Sequence, residues 1–122
     1  MMSIAIIGAS SDRKKFGNKA VRAFAWQGYT VYPVHPQEAQ IESLPVFKSI
    51  REVPTRPDLV SVYLPPSVLL KTLADIAARG CDELWLNPGT DSAAVLAEAG
   101  RLKLNIVQAC SITGIGLSPD EI

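Results

Sequence analysis

An excess of charge of either sign is the first thing missing, since twelve Lys and Arg side chains balance twelve Asp and Glu. A neutral chain sets up no long-range field to gather nucleic acid or an anionic membrane. Both drop out as partners, and any anion must be caught by local geometry. Cysteine is scarce. Cys81 and Cys110 have no CxxC spacing and no metal-type companions, which excludes a disulfide scaffold and a zinc site and points to a reducing, cytoplasmic setting. With His35 as the only histidine, no histidine cluster is available for a metal. Long apolar runs are also absent. Nothing approaches the roughly 18 residues of a membrane span, and the apolar start, Met1 to Gly8, is too short for a signal h-region and lacks a basic leader. No repeat, low-complexity tract or linker interrupts residues 1–122, which read as one domain.

What is present is an alternation of two periodicities. Apolar residues make up 48% of the chain and charged residues 20%, the ordinary balance of a globular protein. Ser3 to Ile7 is apolar throughout, as in a strand covered on both faces, and it ends at Gly8. From about Asn18, residues Ala20, Val21, Phe24 and Ala25 take helical spacing, and Gly28 is a natural stop. Thr30 to Val34 is a second strand, and Leu44 to Phe47 a short third one whose Pro45 belongs at a sheet edge. Asp58 to Leu64 is a fourth. Pro66 and Ser67 then open a helix that carries Leu69, Leu73, Ile76 and Ala77 and stops at Gly80. Glu83 to Leu86, a helix marked by Val95, Leu96, Ala99 and Leu102, and a last strand at Leu104 to Val107 complete the series. Thr113 to Pro119 reads as loop.

Strands alternating with helices predict an α/β fold: a parallel sheet of five to six strands with helices on both faces and right-handed crossovers. The expected order is Rossmann-like, 3-2-1-4-5-6. In such a sheet ligands bind beyond the carboxyl ends of the strands, where the order reverses. Four segments should converge there: Gly8-Ala9-Ser10-Ser11, His35-Pro36, Pro65-Pro66-Ser67 and Asn87-Pro88-Gly89. The first is the most informative. A small-residue turn from a buried strand into a helix lets backbone approach a phosphate, and helix-start amides favour an anion there. Arg13, Lys14 or Lys15 would add charge. Read blandly, the same residues are a plain turn with solvated bases.

The dinucleotide fingerprint Gly-x-Gly-x-x-Gly is incomplete, with Ser10 and Arg13 at its later glycine positions and the next glycine only at Gly17. The second strand ends Pro33-Val34-His35-Pro36 without an acid for a ribose 2′-hydroxyl, which counts against NAD. NADP stays open through Arg13 or Lys14.

Gly8-Ala9-Ser10 with Gly17 downstream, Gly28-Tyr29 before Val31-Tyr32-Pro33-Val34-His35-Pro36, and Leu44-Pro45-Val46-Phe47 resemble the small CoA-binding domain proteins and the corresponding domain of the succinyl-CoA synthetase α subunit. Val62-Tyr63-Leu64-Pro65-Pro66, Leu84-Trp85-Leu86-Asn87-Pro88-Gly89 and Cys110 extend the likeness over nearly the whole chain. The resemblance implies coenzyme A, with phosphates at Gly8, Ala9, Ser10 and Ser11 and with Lys14, Phe16, Gly17 and Asn18 completing the loop. It implies further contacts from Val34, His35 and Pro36, from Leu64, Pro65, Pro66 and Val68, and from Leu86, Asn87, Pro88 and Gly89. Family members often carry a phosphate-facing lysine where this chain has Gln37 and Glu38. The synthetase's catalytic phosphohistidine lies in a second domain, so the likeness implies a binding module.

No catalytic set competes with that reading. His35 has no Ser, Cys or carboxylate beside it in sequence, so it is a ligand contact or turn residue before it is a general base. Cys110 is by default a small buried hydrophobe, and reactivity would require an electropositive, partly exposed setting. Cys81 and Trp85 read as packing, and the scattered aspartates as caps and turns. The expected function is a CoA or acyl-CoA binding module that is not itself an enzyme. The alternatives are a subunit of an acyl-CoA ligase or transferase that needs a partner chain, and a NAD(P) sensor. A small nucleotide is the expected ligand, and a second copy or an enzyme subunit the expected protein partner.

Overall fold

The computed structural model describes residues 2–122. Strand β1 (Ser3–Ile7) is an interior strand of the sheet, as its two apolar faces require. Ala5 and Ile7 point into one core layer, and Ile4 and Ile6 into another. Helix α1 (Phe16–Trp26) covers the second layer with Ala20, Val21 and Phe24, as expected from its spacing, and with Ala23 in place of Ala25, which is exposed. Beyond its C-cap at Gln27, Gly28 takes φ +87°, and the Tyr29 amide turns back to the Phe24 carbonyl at 3.0 Å.

Strand β2 (Thr30–Val34) pairs in parallel with one edge of β1, and β5 (Leu59–Val62) with the other. Helix α2 (Pro66–Arg79), with Pro66 in its first turn, packs Leu69, Leu73 and Ile76 on the opposite layer beside α3 (Ala93–Arg101). Strands β6 (Glu83–Leu86) and β7 (Ile106–Val107) extend the sheet, giving the parallel order β2-β1-β5-β6-β7.

This is the expected Rossmann-like order with its outermost member reduced. Leu44 to Phe47 does not add a full strand. Gln40–Ile41 (β3) and Leu44–Pro45 (β4) pair with each other as a small antiparallel hairpin. Only Phe47 reaches the edge of β2, through a parallel bridge to Val34. Pro45 cannot donate to a ladder, and Glu42 and Ser43 turn the chain at positive φ, so the segment folds on itself instead.

The C-terminal stretch also differs from expectation. Ser111–Gly114 forms a helical turn (α4) and Pro119–Glu121 a 3-10 turn. Ile112 is fully buried against the α1 layer, and Lys19 Nζ donates to the Pro119 carbonyl at 2.8 Å. Burying one such side chain is worth roughly 1.5–3 kcal/mol, enough to hold a single turn that lacks intrinsic helical stability. Trp85 is only half-buried. Its ring lies under Gly114, and its indole NH donates to Glu83.

Candidate functional site

The carboxyl ends of β1 and β5 meet α1 with almost no spare room. Gly8 takes φ +85°, and a Cβ there would lie 2.5 Å from the Tyr63 carbonyl oxygen. A Cβ on Gly17 would lie 2.2 Å from the Gly8 carbonyl oxygen. Only two glycines allow the helix to start this close to the strand.

The amides are divided differently from the simple expectation. Those of Gly8 and Ala9 are not free: both donate to the Val34 carbonyl, at 3.2 and 3.3 Å, and stitch the turn to β2. The amides of Ser10 and Ser11 bond to nothing among the described residues. They lead into α1, whose N-cap Lys15 makes no side-chain cap and whose first turn holds no acid. An uncapped helix start beside a cation suits an anion.

The turn itself is braced. The Ser10 hydroxyl accepts from the Asp12 amide at 3.0 Å, and Asp12 accepts from the Lys14 amide at 3.0 Å. Asn18 is fully buried. It donates to the Ser10 carbonyl at 2.9 Å and to Glu42 at 3.1 Å, while its oxygen accepts from Arg22 at 2.7 Å. Asn18 therefore shapes the loop from behind.

Three adjoining cavities run along this sheet edge. The first, about 480 Å³, is lined by Gly8, Ala9, Ser10, Val34, His35, Pro36, Leu64 and Val68 of the expected set. Lys15, Lys48, Thr72 and Asp75 add polar groups, and Ile7 and Ile50 apolar ones. The second, about 360 Å³, shares Gly8, Lys15, Tyr63 and Leu64 with the first and adds Phe16, Gly17, Pro65, Pro88, Gly89 and Thr90. The third, about 290 Å³, joins Phe16, Tyr63, Asn87 and Pro88 to Cys110 and Thr113. Apolar walls with a few convergent polar groups are the usual make-up of a small-molecule site.

Some expected residues stand elsewhere. Ser11 and Lys14 are exposed and line none of the three cavities; the Ser11 hydroxyl donates to Glu38 at 2.9 Å. Leu86 is buried in the core beneath the site, and Pro66 lies in the first turn of α2. Sequence reasoning passed over Lys48, Tyr63, Thr72 and Asp75. Lys48 had a findable signal: it follows Phe47, the residue bridged to the end of β2.

His35 Nδ1 accepts from the Gln37 and Glu38 amides at 3.0 and 3.1 Å. Its lone pair is spent on the turn, which leaves Nε2 as the ring's free donor. The same turn brings Glu38 to the loop.

A buried polar network supports the floor. Asn87 donates to the Ser61 hydroxyl and the Val62 carbonyl, both at 2.8 Å, and accepts from the Ser111 amide at 2.9 Å. Ser61 and Ser111 share a hydrogen bond at 2.8 Å, and the Tyr63 hydroxyl joins Ser111 at 3.1 Å. Burial pushes the Tyr63 phenol above its ordinary range. Each group on this network is satisfied, so it rigidifies α4 against the sheet. Burial likewise raises the Cys81 thiol to about 11, an inert packed group as expected. Among the described residues, no three His, Cys, Asp or Glu side chains are grouped to hold a metal, and no helix is long and apolar enough to cross a membrane.

A family described as the CoA binding domain matches residues 2–115. The chain is 35% identical over 78 residues to the α subunit of the ADP-forming acetate–CoA ligase II of Pyrococcus furiosus, a match over 63% of this chain and 17% of that protein. It is 24% identical over 115 residues to the ADP-forming acetate–CoA ligase I of Archaeoglobus fulgidus, covering 93% of this chain and 16% of that one. The chain thus spans about one sixth of the length of these ligases. A conserved hypothetical protein of Pyrococcus furiosus superposes with a TM-score of 0.85 at 27% identity, over 93% of this chain and 99% of that one.

Proposed function

The chain belongs to the CoA-binding domain family, and from that membership we propose that it binds coenzyme A or a CoA thioester and holds it without catalysing a reaction itself. One observation carries the reading. The unpartnered Ser10 and Ser11 amides lead into the uncapped start of α1, and Ser10 and Lys15 line a cavity about 480 Å³ in volume. Amides and macrodipole would take the pyrophosphate. The apolar wall of Val34, Ile50, Leu64 and Val68 would take the adenine, and the cavities toward Pro88 the pantetheine arm. The candidate ligand residues are those of the expected set that line these cavities, together with Lys15 and Lys48. NADP has no support.

A thermal-shift panel of CoA, acetyl-CoA, dephospho-CoA, NAD, NADP and ATP tests this. A ligand at a hundredfold excess over Kd stabilises the native state by about 2.7 kcal/mol, a clearly visible rise in Tm for CoA-type members. No rise with any of the three at high micromolar concentration refutes the proposal.

The match to two acetate–CoA ligases favours a second reading, in which the chain presents CoA within a larger acyl-CoA ligase. Co-purification of a subunit that confers acyl-CoA-forming turnover would support it, and a chain isolated alone would oppose it.

A further inference from the structure

Four residues beyond β2 stands a carboxylate held at both its amide and its side chain. The Glu38 amide donates to His35 Nδ1 at 3.1 Å, and Glu38 Oε1 accepts from the Ser11 hydroxyl at 2.9 Å. The turn after β2 and the loop after β1 are therefore tied together through an acid. In doubly wound sheets, the adenosine ribose of a bound nucleotide lies at this strand end, and an acid there accepts hydrogen bonds from the ribose hydroxyls. A phosphate at the same place would put two like charges within a few ångströms, the costly arrangement.

Other charges near the loop do not reverse this. Lys15 and Lys48 line the interior of the first cavity, whereas neither Ser11 nor Glu38 lines it. Arg13 lies 3.5 Å from Glu42, which also accepts from Asn18. Glu38 thus stands beside the Ser11 end of the loop with exposed Lys14 on the loop's far side of Asp12, while Lys15 and Lys48 line the cavity assigned to the pyrophosphate.

We infer that Glu38 makes the site selective for a nucleotide whose adenosine ribose has free hydroxyls, so that dephospho-CoA binds in preference to CoA. This rests on the CoA-type reading above and names which member of that class the site takes. Glu38 acts as a specificity-determining residue and Ser11 positions it.

Isothermal titration of the intact chain with dephospho-CoA and CoA, at fixed ionic strength, provides the test. Dephospho-CoA should bind at least tenfold more tightly. Glu38→Gln should bring the two affinities together and Glu38→Lys should reverse their order, with Tm and far-UV circular dichroism unchanged in both variants. Ser11→Ala should narrow the difference without abolishing binding. Equal or tighter binding of CoA by the unsubstituted chain, above all if Lys48→Ala abolishes that preference, overturns the inference alone. An unchanged preference in Glu38→Gln overturns it too. Binding of neither nucleotide overturns the proposed function and this inference with it.

Discussion

Replacing Gly17 by alanine should destabilise the protein, although helix propensity argues the reverse. An alanine in a helix is intrinsically better than glycine by as much as about 1 kcal/mol. At Gly17, however, the new Cβ would lie 2.2 Å from the Gly8 carbonyl oxygen, where ordinary contact begins at 3.4 Å. The obstacle is backbone, so α1 must retreat by about 1 Å or the strand end must deform. Overpacking of this kind costs roughly 1–3 kcal/mol, and the balance is a net loss near 1–2 kcal/mol. At about 4 °C per kcal/mol for a domain of this size, Tm should fall by roughly 4–8 °C. Gly100 supplies the control. It is exposed near the end of α3, and nothing stands within 4 Å of a Cβ there. Gly100→Ala should raise Tm by roughly 2–4 °C, from a gain of about 0.5–1 kcal/mol. Calorimetry of the two variants reads one substitution with opposite signs. A Gly17→Ala protein as stable as the parent would refute the close approach of α1 to the loop.

Asn87→Leu should cost about 3 kcal/mol, because the Ser61 hydroxyl and the Ser111 amide lose buried partners at about 1–3 kcal/mol apiece. Urea unfolding measures the loss, and hydrogen exchange should show α4 opening first. Ser92→Ala removes the N-cap bond to the Val95 amide at 3.2 Å and should cost about 1 kcal/mol by the same method. Cys81 carries a pH signature. Its folded-state value of about 11 exceeds the ordinary 9.0 because burial disfavours the thiolate, so the native state holds the proton longer than the unfolded chain. That contribution is intact below pH 9 and is lost as pH rises toward 11. Urea midpoints should decline over that window, and less steeply in Cys81→Ala. Lys15→Ala should weaken CoA-type binding severalfold and make the remainder less salt-sensitive, as titration at two ionic strengths would show.

Strands β1, β2 and β6 were legible to the residue, because unbroken apolar runs bounded by glycine or turn residues have one reading in an α/β chain. The glycines at 8 and 17 also announced a close turn. Non-local geometry was not legible. Leu44 to Phe47 has strand-like residues, but Pro45 and the positive φ of Glu42 and Ser43 divert it into a hairpin. Gln37 and Glu38 were expected where relatives face a phosphate with lysine, but the contact of Glu38 with Ser11 depends on the His35 imidazole, which accepts two amides and turns the chain back on itself. Asn18 was expected to complete the ligand loop, and its burial behind Ser10 depends on Glu42, which approaches from the β3–β4 turn. The commitment of the Gly8 and Ala9 amides to Val34 follows from the register between β1 and β2, which no local pattern specifies.

The claim on which the rest depends is that the backbone between Ser10 and Gly17 grips a pyrophosphate. Amide chemical shifts followed through a titration with dephospho-CoA and with CoA measure this at the atoms concerned. Saturable shifts should appear at Ser10, Ser11, Phe16 and Gly17, together with His35 and Glu38, and leave α3 unmoved. Saturating ligand that leaves those loop amides unmoved, or moves only residues away from this sheet edge, would contradict it.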